Sequence, residues 1–216
     1  KKHRESAFDI LVREFRKLGY VVEYRLLNAL HYGVPQDRER IFIVGFRSDI
    51  LKDGKRRFRW PREVYPNAKS LPWPKTNKPG IPIEVDPRLP RELMVATAFT
   101  GVEGLPNQQD QFVPKSSKFR YIEEGDDSRK SFKRLHRFRY SPAVAYGNNE
   151  VHLHPVEDRR ISVREALRLQ TVPDSYVLPA DMTLTKKFKL VSNGVPVKLA
   201  RLLASSIADF LRSLLP

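Results

Sequence analysis

Cysteine is absent from all 216 residues, which removes a disulfide framework, a thiolate zinc site and a cysteine nucleophile together. Long apolar runs are absent too. No stretch approaches the roughly 18 apolar residues that a membrane-spanning helix needs, so the chain reads as soluble, with no membrane partner. No signal-peptide pattern opens the sequence, because its first apolar residues are spaced helically rather than run together. Methionine is not the first residue either, and a segment before Lys1 is expected. Negative charge is scarce. Asp and Glu number 25 against 40 Lys and Arg, a formal net charge of +15 that favours a polyanionic partner, with nucleic acid the default. The length suffices for one large domain or two small ones with a real core.

What is present begins with Phe8, Leu11, Val12, Phe15 and Leu18 at three- and four-residue steps, one face of an amphipathic helix that Gly19 stops. In residues 21–27, Val22, Tyr24 and Leu26 alternate with Glu23 and Arg25, which predicts a strand exposed on one face. Residues 41–46, Ile-Phe-Ile-Val-Gly-Phe, predict a buried strand, antiparallel to the first because the short connection leaves no room for a crossover helix. Two strands and one helix cannot cover both faces of so apolar a strand, so further strands are expected to flank it. From about residue 47 to 114 frequent prolines exclude central strands and long helices. Basic residues with interleaved aromatics, Phe58 and Trp60 in 52–62 and Phe132, Phe138 and Tyr140 in 116–140, suit phosphate contact, a solvated loop or a small core alike. Regular structure returns where Ser162 and Glu165 stand three apart as a capping box. A final helix follows Pro196, with Leu199, Leu202, Leu203, Ile207, Phe210, Leu211 and Leu214 at helical spacing.

Two polar stretches are candidate sites. Period-two alternation carries Gln36, Arg38 and Arg40 along one side of the approach to residues 41–46, bringing an amide and two guanidinium forks together. The same stretch also reads as a charged strand entrance paired with its own Asp37 and Glu39. Asn193-Gly194 before a helix could turn an amide and a carboxamide towards an anionic group, or be a plain turn and cap.

Three stretches taken together resemble the C-terminal part of the DNA (cytosine-5)-methyltransferases. Residues 32–47, Tyr-Gly-Val-Pro-Gln-Asp-Arg-Glu-Arg-Ile-Phe-Ile-Val-Gly-Phe-Arg, look like the family's Gln-x-Arg-x-Arg block. Residues 160–174, Arg-Ile-Ser-Val-Arg-Glu-Ala-Leu-Arg-Leu-Gln-Thr-Val-Pro-Asp, look like the block after the target-recognition region, and Asn193-Gly194-Val195-Pro196 like the last block. Residues 139–149 look like the close of the recognition domain. Three blocks in the family's order around a variable basic segment favour the site reading of residues 36–40 over a mere strand entrance.

The resemblance implies an α/β fold: the C-terminal part of a Rossmann-like S-adenosylmethionine-dependent methyltransferase sheet plus a loop-rich, mainly β target-recognition domain. It implies residues 1–49 as the end of the catalytic domain, 50–155 as the recognition domain, and 156–216 as a bracing helix and a C-terminal helix returning to the catalytic domain. The implied reaction moves methyl from S-adenosylmethionine to C5 of a cytosine flipped out of double-stranded DNA, as in restriction–modification, inside a cytoplasm or another DNA-containing compartment. Arg40 is the candidate for the cytosine carbonyl, with Arg38 and Gln36 in support; Asn193, Gly194 and Val195 lie by the cofactor's amino-acid end. Arg160, Arg164 and Glu165 are expected to brace the domains. No metal is implied. The family's glycine-rich cofactor loop, Pro-Cys nucleophile loop and Glu-Asn-Val block are not present, and Ser192 and Gly194 replace the usual glycine and alanine. The chain therefore reads as the C-terminal half of an enzyme that needs a complementing N-terminal half. The alternative is a non-catalytic DNA-binding module on the same scaffold.

Overall fold

In a computed structural model, residues 6–51, 57–114, 116–129, 132–143 and 152–214 are described. Positions 52–56 of the first basic run and 144–149 of the recognition-closing stretch lie outside them. In chain order the helices are α1 (Ala7–Lys17), α2 (Val95–Phe99), α3 (Val163–Leu169), α4 (Leu184–Asn193) and α5 (Val197–Leu214). The strands are β1 (Tyr20–Asn28), β2 (Gln36–Asp37), β3 (Glu39–Arg47) and β4 (Ser141–Pro142). The chain folds as two compact units, one of residues 1–27, 39–61 and 202–216, the other of 28–38 and 62–201.

The first unit is built on the β1–β3 pair. Ser6 caps α1 by accepting from the Asp9 amide, and Gly19, at φ 83°, makes the left-handed turn that releases the chain into β1. The Ser48 amide donates to Gly19 O at one end of the pair, and the Ala29 amide to Arg38 O at the other, so the strands are antiparallel. One face of β3 buries Val44 and Phe46 against Phe58, Leu203 and Phe210. Phe46 meets Phe210 at 4.6 Å and Phe58 at 5.5 Å between ring centroids. Elsewhere the alternation does not translate into burial. Val22 is covered, but Tyr24, Leu26 and Ile41 are 52%, 59% and 58% exposed. The reason is cover: α1 reaches β1 through the edge-on pairs Phe8–Tyr24 and Phe15–Tyr20, and among the described residues no third strand flanks the pair.

In the second unit helices and loops surround a core of Val95, Leu135, Ile161, Val163, Leu169 and Phe188 with their neighbours. α3 forms where the capping box predicts it, with the Ser162 hydroxyl accepting from the Glu165 amide and the Glu165 carboxylate from the Ser162 amide. Among the described residues, strand pairing in the second unit is confined to β4, parallel to β2, and to the bridges Asn77–Glu124, Arg134–Leu153 and Leu153–Arg160. Proline offers no N–H to a ladder, and side chains do the joining instead. Arg134, 1% exposed, donates to the carbonyls of Ile122, His154, Glu157 and Phe119 and to the Asp158 carboxylate. Glu124 accepts from the Arg137 amide and Nε and from Asn77 Nδ2, and Asn77 in turn meets His136 Nε2 at 2.8 Å. Among the described residues, no helix is long and apolar enough to cross a membrane.

Candidate active site

The polar stretch before β3 is interrupted rather than straight. β2 covers only Gln36 and Asp37, Arg38 breaks the strand, and β3 starts at Glu39. The cause is local hydrogen bonding by Asn28. Its Oδ1 accepts from the Leu30 and Arg38 amides while its Nδ2 donates to Asp37, which pins the turn against the strand entrance. Gln36 and Arg38 are consequently buried, and Arg40 is exposed. The alternation thus places two of the three side chains inside and leaves the third in solvent, in the other compact unit.

Each has different surroundings. The Arg38 guanidinium donates through Nη2 to Ser192 O at 2.5 Å and to Gly194 O at 2.9 Å. It thereby places a positive charge against the carbonyls that end α4, where the helix dipole favours one. Gln36 is fully buried, and among the described residues its amide nitrogen and oxygen both lack a hydrogen-bond partner. Burial of an amide without partners is costly, and such groups concentrate where a ligand or another chain completes them. Among the described residues Arg40 bonds only Glu39 O, through Nη1 at 2.6 Å. Asp37 is answered by Asn28 and by Lys69 Nζ at 2.9 Å, not by either arginine of its own block.

Asn193 is the last residue of α4 rather than part of a loop before α5. Its side chain is exposed and makes no hydrogen bond among the described residues. Gly194 uses its amide on Leu190 O and Val191 O. A β-carbon at Gly194 would stand 3.2 Å from Val191 O and 3.3 Å from Gln170 Oε1, closer than side chains normally pack, which gives this position a reason to be glycine. The Gln170 side-chain amide donates to Val191 O and the Gln170 backbone carbonyl accepts from the Val197 amide, so the end of α3 is tied to both sides of the Asn-Gly corner. Beside Gly194 and Val195 opens an apolar cleft of about 430 Å³ bordered by Gln170, Pro173, Tyr176 and Leu190. Asn193 and Val195 are exposed, whereas the Gly194 amide and carbonyl are both taken up in hydrogen bonds.

Of the three residues expected to brace, two are internal ties of the second unit. Arg164 donates to Pro106 O and Tyr176 O, and Glu165 receives both Arg159 terminal nitrogens at 2.7 and 2.8 Å. Those bonds hold Arg159 protonated, its pKa raised despite burial. Arg160 is different and lies over two phenylalanine rings. Sequence reasoning missed Arg134, since five acceptors spread over residues 119–158 leave no spacing to read.

A profile of C-5 cytosine-specific DNA methylase matches residues 1–209. The type II methyltransferase M.NmeDI of Neisseria meningitidis serogroup C is 45% identical over 217 residues, which is 98% of this chain and 51% of that protein. M.BspRI of Lysinibacillus sphaericus is 31% identical, over 95% of this chain and 47% of its own length. The chain spans about half the length of these curated relatives. Among solved structures, a prophage-encoded DNA modification methyltransferase of E. coli superposes with a TM-score of 0.59 at 19% identity, covering 97% of this chain and 67% of that one. The Dnmt2 methyltransferase of S. pombe gives a TM-score of 0.56 at 13% identity, covering 97% and 62%. Those two likenesses are of fold, and they agree with the α/β architecture. By the profile match over residues 1–209, this chain belongs to the C-5 cytosine-specific DNA methylase family.

Proposed function

We propose that the chain is the target-recognition and C-terminal half of a DNA cytosine-5 methyltransferase, and that it works with a complementing N-terminal half holding the cysteine nucleophile. The observation that carries this reading is the contact of Arg38 with Ser192 O and Gly194 O, which joins the Gln-x-Arg-x-Arg block to the Asn-Gly-Val-Pro block. The two apolar strands with exposed Leu26 and Ile41 support the need for a second half, because a sheet extended by further strands would cover them. So does the lack of any cysteine, without which the covalent addition to cytosine has no thiolate.

In this reading residues 50–155 recognise the duplex, and the target cytosine leaves the stack because stacking shields its C5. Arg40 contacts the cytosine carbonyl. Its guanidinium is exposed and, among the described residues, holds only its neighbour's backbone oxygen, so little has to be broken for it to turn to a base. Gln36 supports the pocket with an amide that awaits partners, and Arg38 acts through the backbone it holds. Asn193 and Val195 orient the amino-acid end of S-adenosylmethionine, which supplies the methyl group when bound.

The test is complementation. Residues 1–216 are mixed with the cysteine-bearing N-terminal half of a relative, labelled S-adenosylmethionine and duplex DNA, and the DNA is expected to take up label. Labelling by residues 1–216 alone removes the need for a partner. DNA binding without labelling beside a folded matching half leaves the non-catalytic module. In the complemented complex, Arg40→Ala should lower methylation by roughly ten- to a hundredfold, the worth of a lost base contact of about 1–3 kcal/mol, with duplex affinity changed far less. Equal loss in both would assign Arg40 to a phosphate.

A further inference from the structure

Four arginines of the second unit that are buried or half-buried face a carboxylate. Arg134 faces Asp158, Arg159 faces Glu157 and Glu165, and Arg164 and Arg168 share Asp174, all within 3.6 Å. Arg160 is 7% exposed, yet among the described residues no carboxylate and no carbonyl receives its side chain. Its Nε is buried and, among the described residues, has no hydrogen-bond partner. Burial alone acts on its pKa, pushing it down, and no neighbouring charge offsets that.

Instead of a counter-ion Arg160 has aromatic rings. Its guanidinium carbon lies 5.0 Å from the centroid of Phe132 and 5.9 Å from that of Phe112. Both rings are held in place. Phe112 stacks on Phe188 at 5.3 Å with 20° between planes. Phe132 has its backbone at φ 58°, a left-handed conformation that a bulky side chain adopts only when its surroundings enforce it. The Arg160 backbone is fixed as well, by the bridge to Leu153 and the bond from the Ile161 amide to His152 O. Two ring contacts stabilise a guanidinium by less than its burial unpaired costs. The charge is therefore held over two aromatic rings, with its counter-charge still to come.

We propose that Arg160 seats one phosphodiester of the DNA backbone, a contact separate from the Gln-x-Arg-x-Arg block and from bracing. This rests on the DNA-directed reading above. A phosphodiester brings the full negative charge that the site lacks, and its two free oxygens match a guanidinium fork; a base edge brings only dipoles. On a chain of net charge +15 the anion is expected to come from the partner.

The test measures duplex affinity of the full chain against salt for wild type, Arg160→Met, which keeps the bulk beside the rings, and Arg160→Lys, which keeps the charge. Arg160→Met should bind a cognate and an unrelated duplex more weakly by the same factor, with the slope of log K against log salt shallower by about one. Arg160→Lys should keep the wild-type slope. An unchanged slope in Arg160→Met overturns the proposal, and so does a loss confined to one DNA sequence, which would make Arg160 a base contact. Should Arg160→Met fail to fold, arginine-selective dicarbonyl labelling of the wild type replaces it: Arg160 must be protected by duplex DNA, and undiminished labelling in the complex refutes the contact. A wild-type chain that binds neither duplex would instead overturn the DNA-directed reading itself.

Discussion

Replacing Arg38 by methionine isolates what its guanidinium does, because the two side chains are similar in length and the site is buried. Removed are at least the hydrogen bonds to Ser192 O and Gly194 O, at 2.5 and 2.9 Å. A hydrogen bond from a charged donor contributes about 1.5–3 kcal/mol, so the smallest expected loss is about 3 kcal/mol. That loss falls on the last turn of α4, whose orphan carbonyls Arg38 satisfies. The local reporter is the Gly194 amide, which donates to Leu190 O and Val191 O and is exchangeable only when that turn opens. With about 1.4 kcal/mol per factor of ten, its hydrogen-exchange protection should fall roughly a hundredfold in Arg38→Met. Amides of α1, in the other unit, should exchange as before. Arg38→Lys retains a charge but not a fork, and should recover part of the protection. A folded Arg38→Met variant whose Gly194 amide keeps its protection would refute the claim that Arg38 holds the Asn-Gly corner.

Arg134→Met should be the more damaging change to the recognition region, costing about 3–5 kcal/mol in a denaturant titration, since four carbonyls and Asp158 lose a buried donor at once; a loss under about 1 kcal/mol would mean that the carbonyls find other donors. His152 gives a pH dependence. Burial, and then the charge of Lys133, push its pKa down to about 3 from the ordinary 6.5. Above the ordinary value it is neutral folded or unfolded and has no effect. As pH falls below it the unfolded chain takes up a proton that the folded chain refuses, so stability drops by about 2 kcal/mol between pH 7 and pH 5. Unfolding measured at both pH values should show this loss in the wild type and a loss smaller by that amount in His152→Gln.

Local patterns were read correctly where the cause is local. The spacing of Phe8 to Leu18 gave α1, Ser162 and Glu165 gave the start of α3, and Pro196 marked the entry to α5. The antiparallel β1–β3 pair followed from a connection too short for a helix. Burial was legible less well. Tyr24 and Leu26 alternate as a covered face should, but alternation says which side chains share a face and not what lies on it. Arg40 follows Arg38 at the period of a strand, and Asn28, ten residues before Arg38, breaks that period by capturing the Arg38 amide. Asn193 read as a turn residue because the Asn-Gly pair is a turn signal. It ends α4 instead, a helix whose Thr183 cap makes no side-chain hydrogen bond and so left no mark at its start. Arg160, grouped with Arg164 and Glu165 by its place in the block, parts from them only when their partners are known.

The meeting of Phe46 with Phe210 has a consequence for how the chain is made. Residues 47–209 lie between the two rings, and synthesis must pass nearly all of them before the aromatic cluster of the first unit can close. Closing a loop of that length costs roughly 4–5 kcal/mol of chain entropy beyond a constant, and such distant pairings are formed late and slowly. Until then β3 holds Phe42, Val44 and Phe46 without Leu203, Ile207 and Phe210, which complete their cover. A nascent chain in that state is exposed to aggregation, so soluble yield should depend on the last turns of α5 more steeply than their small share of the molecule suggests.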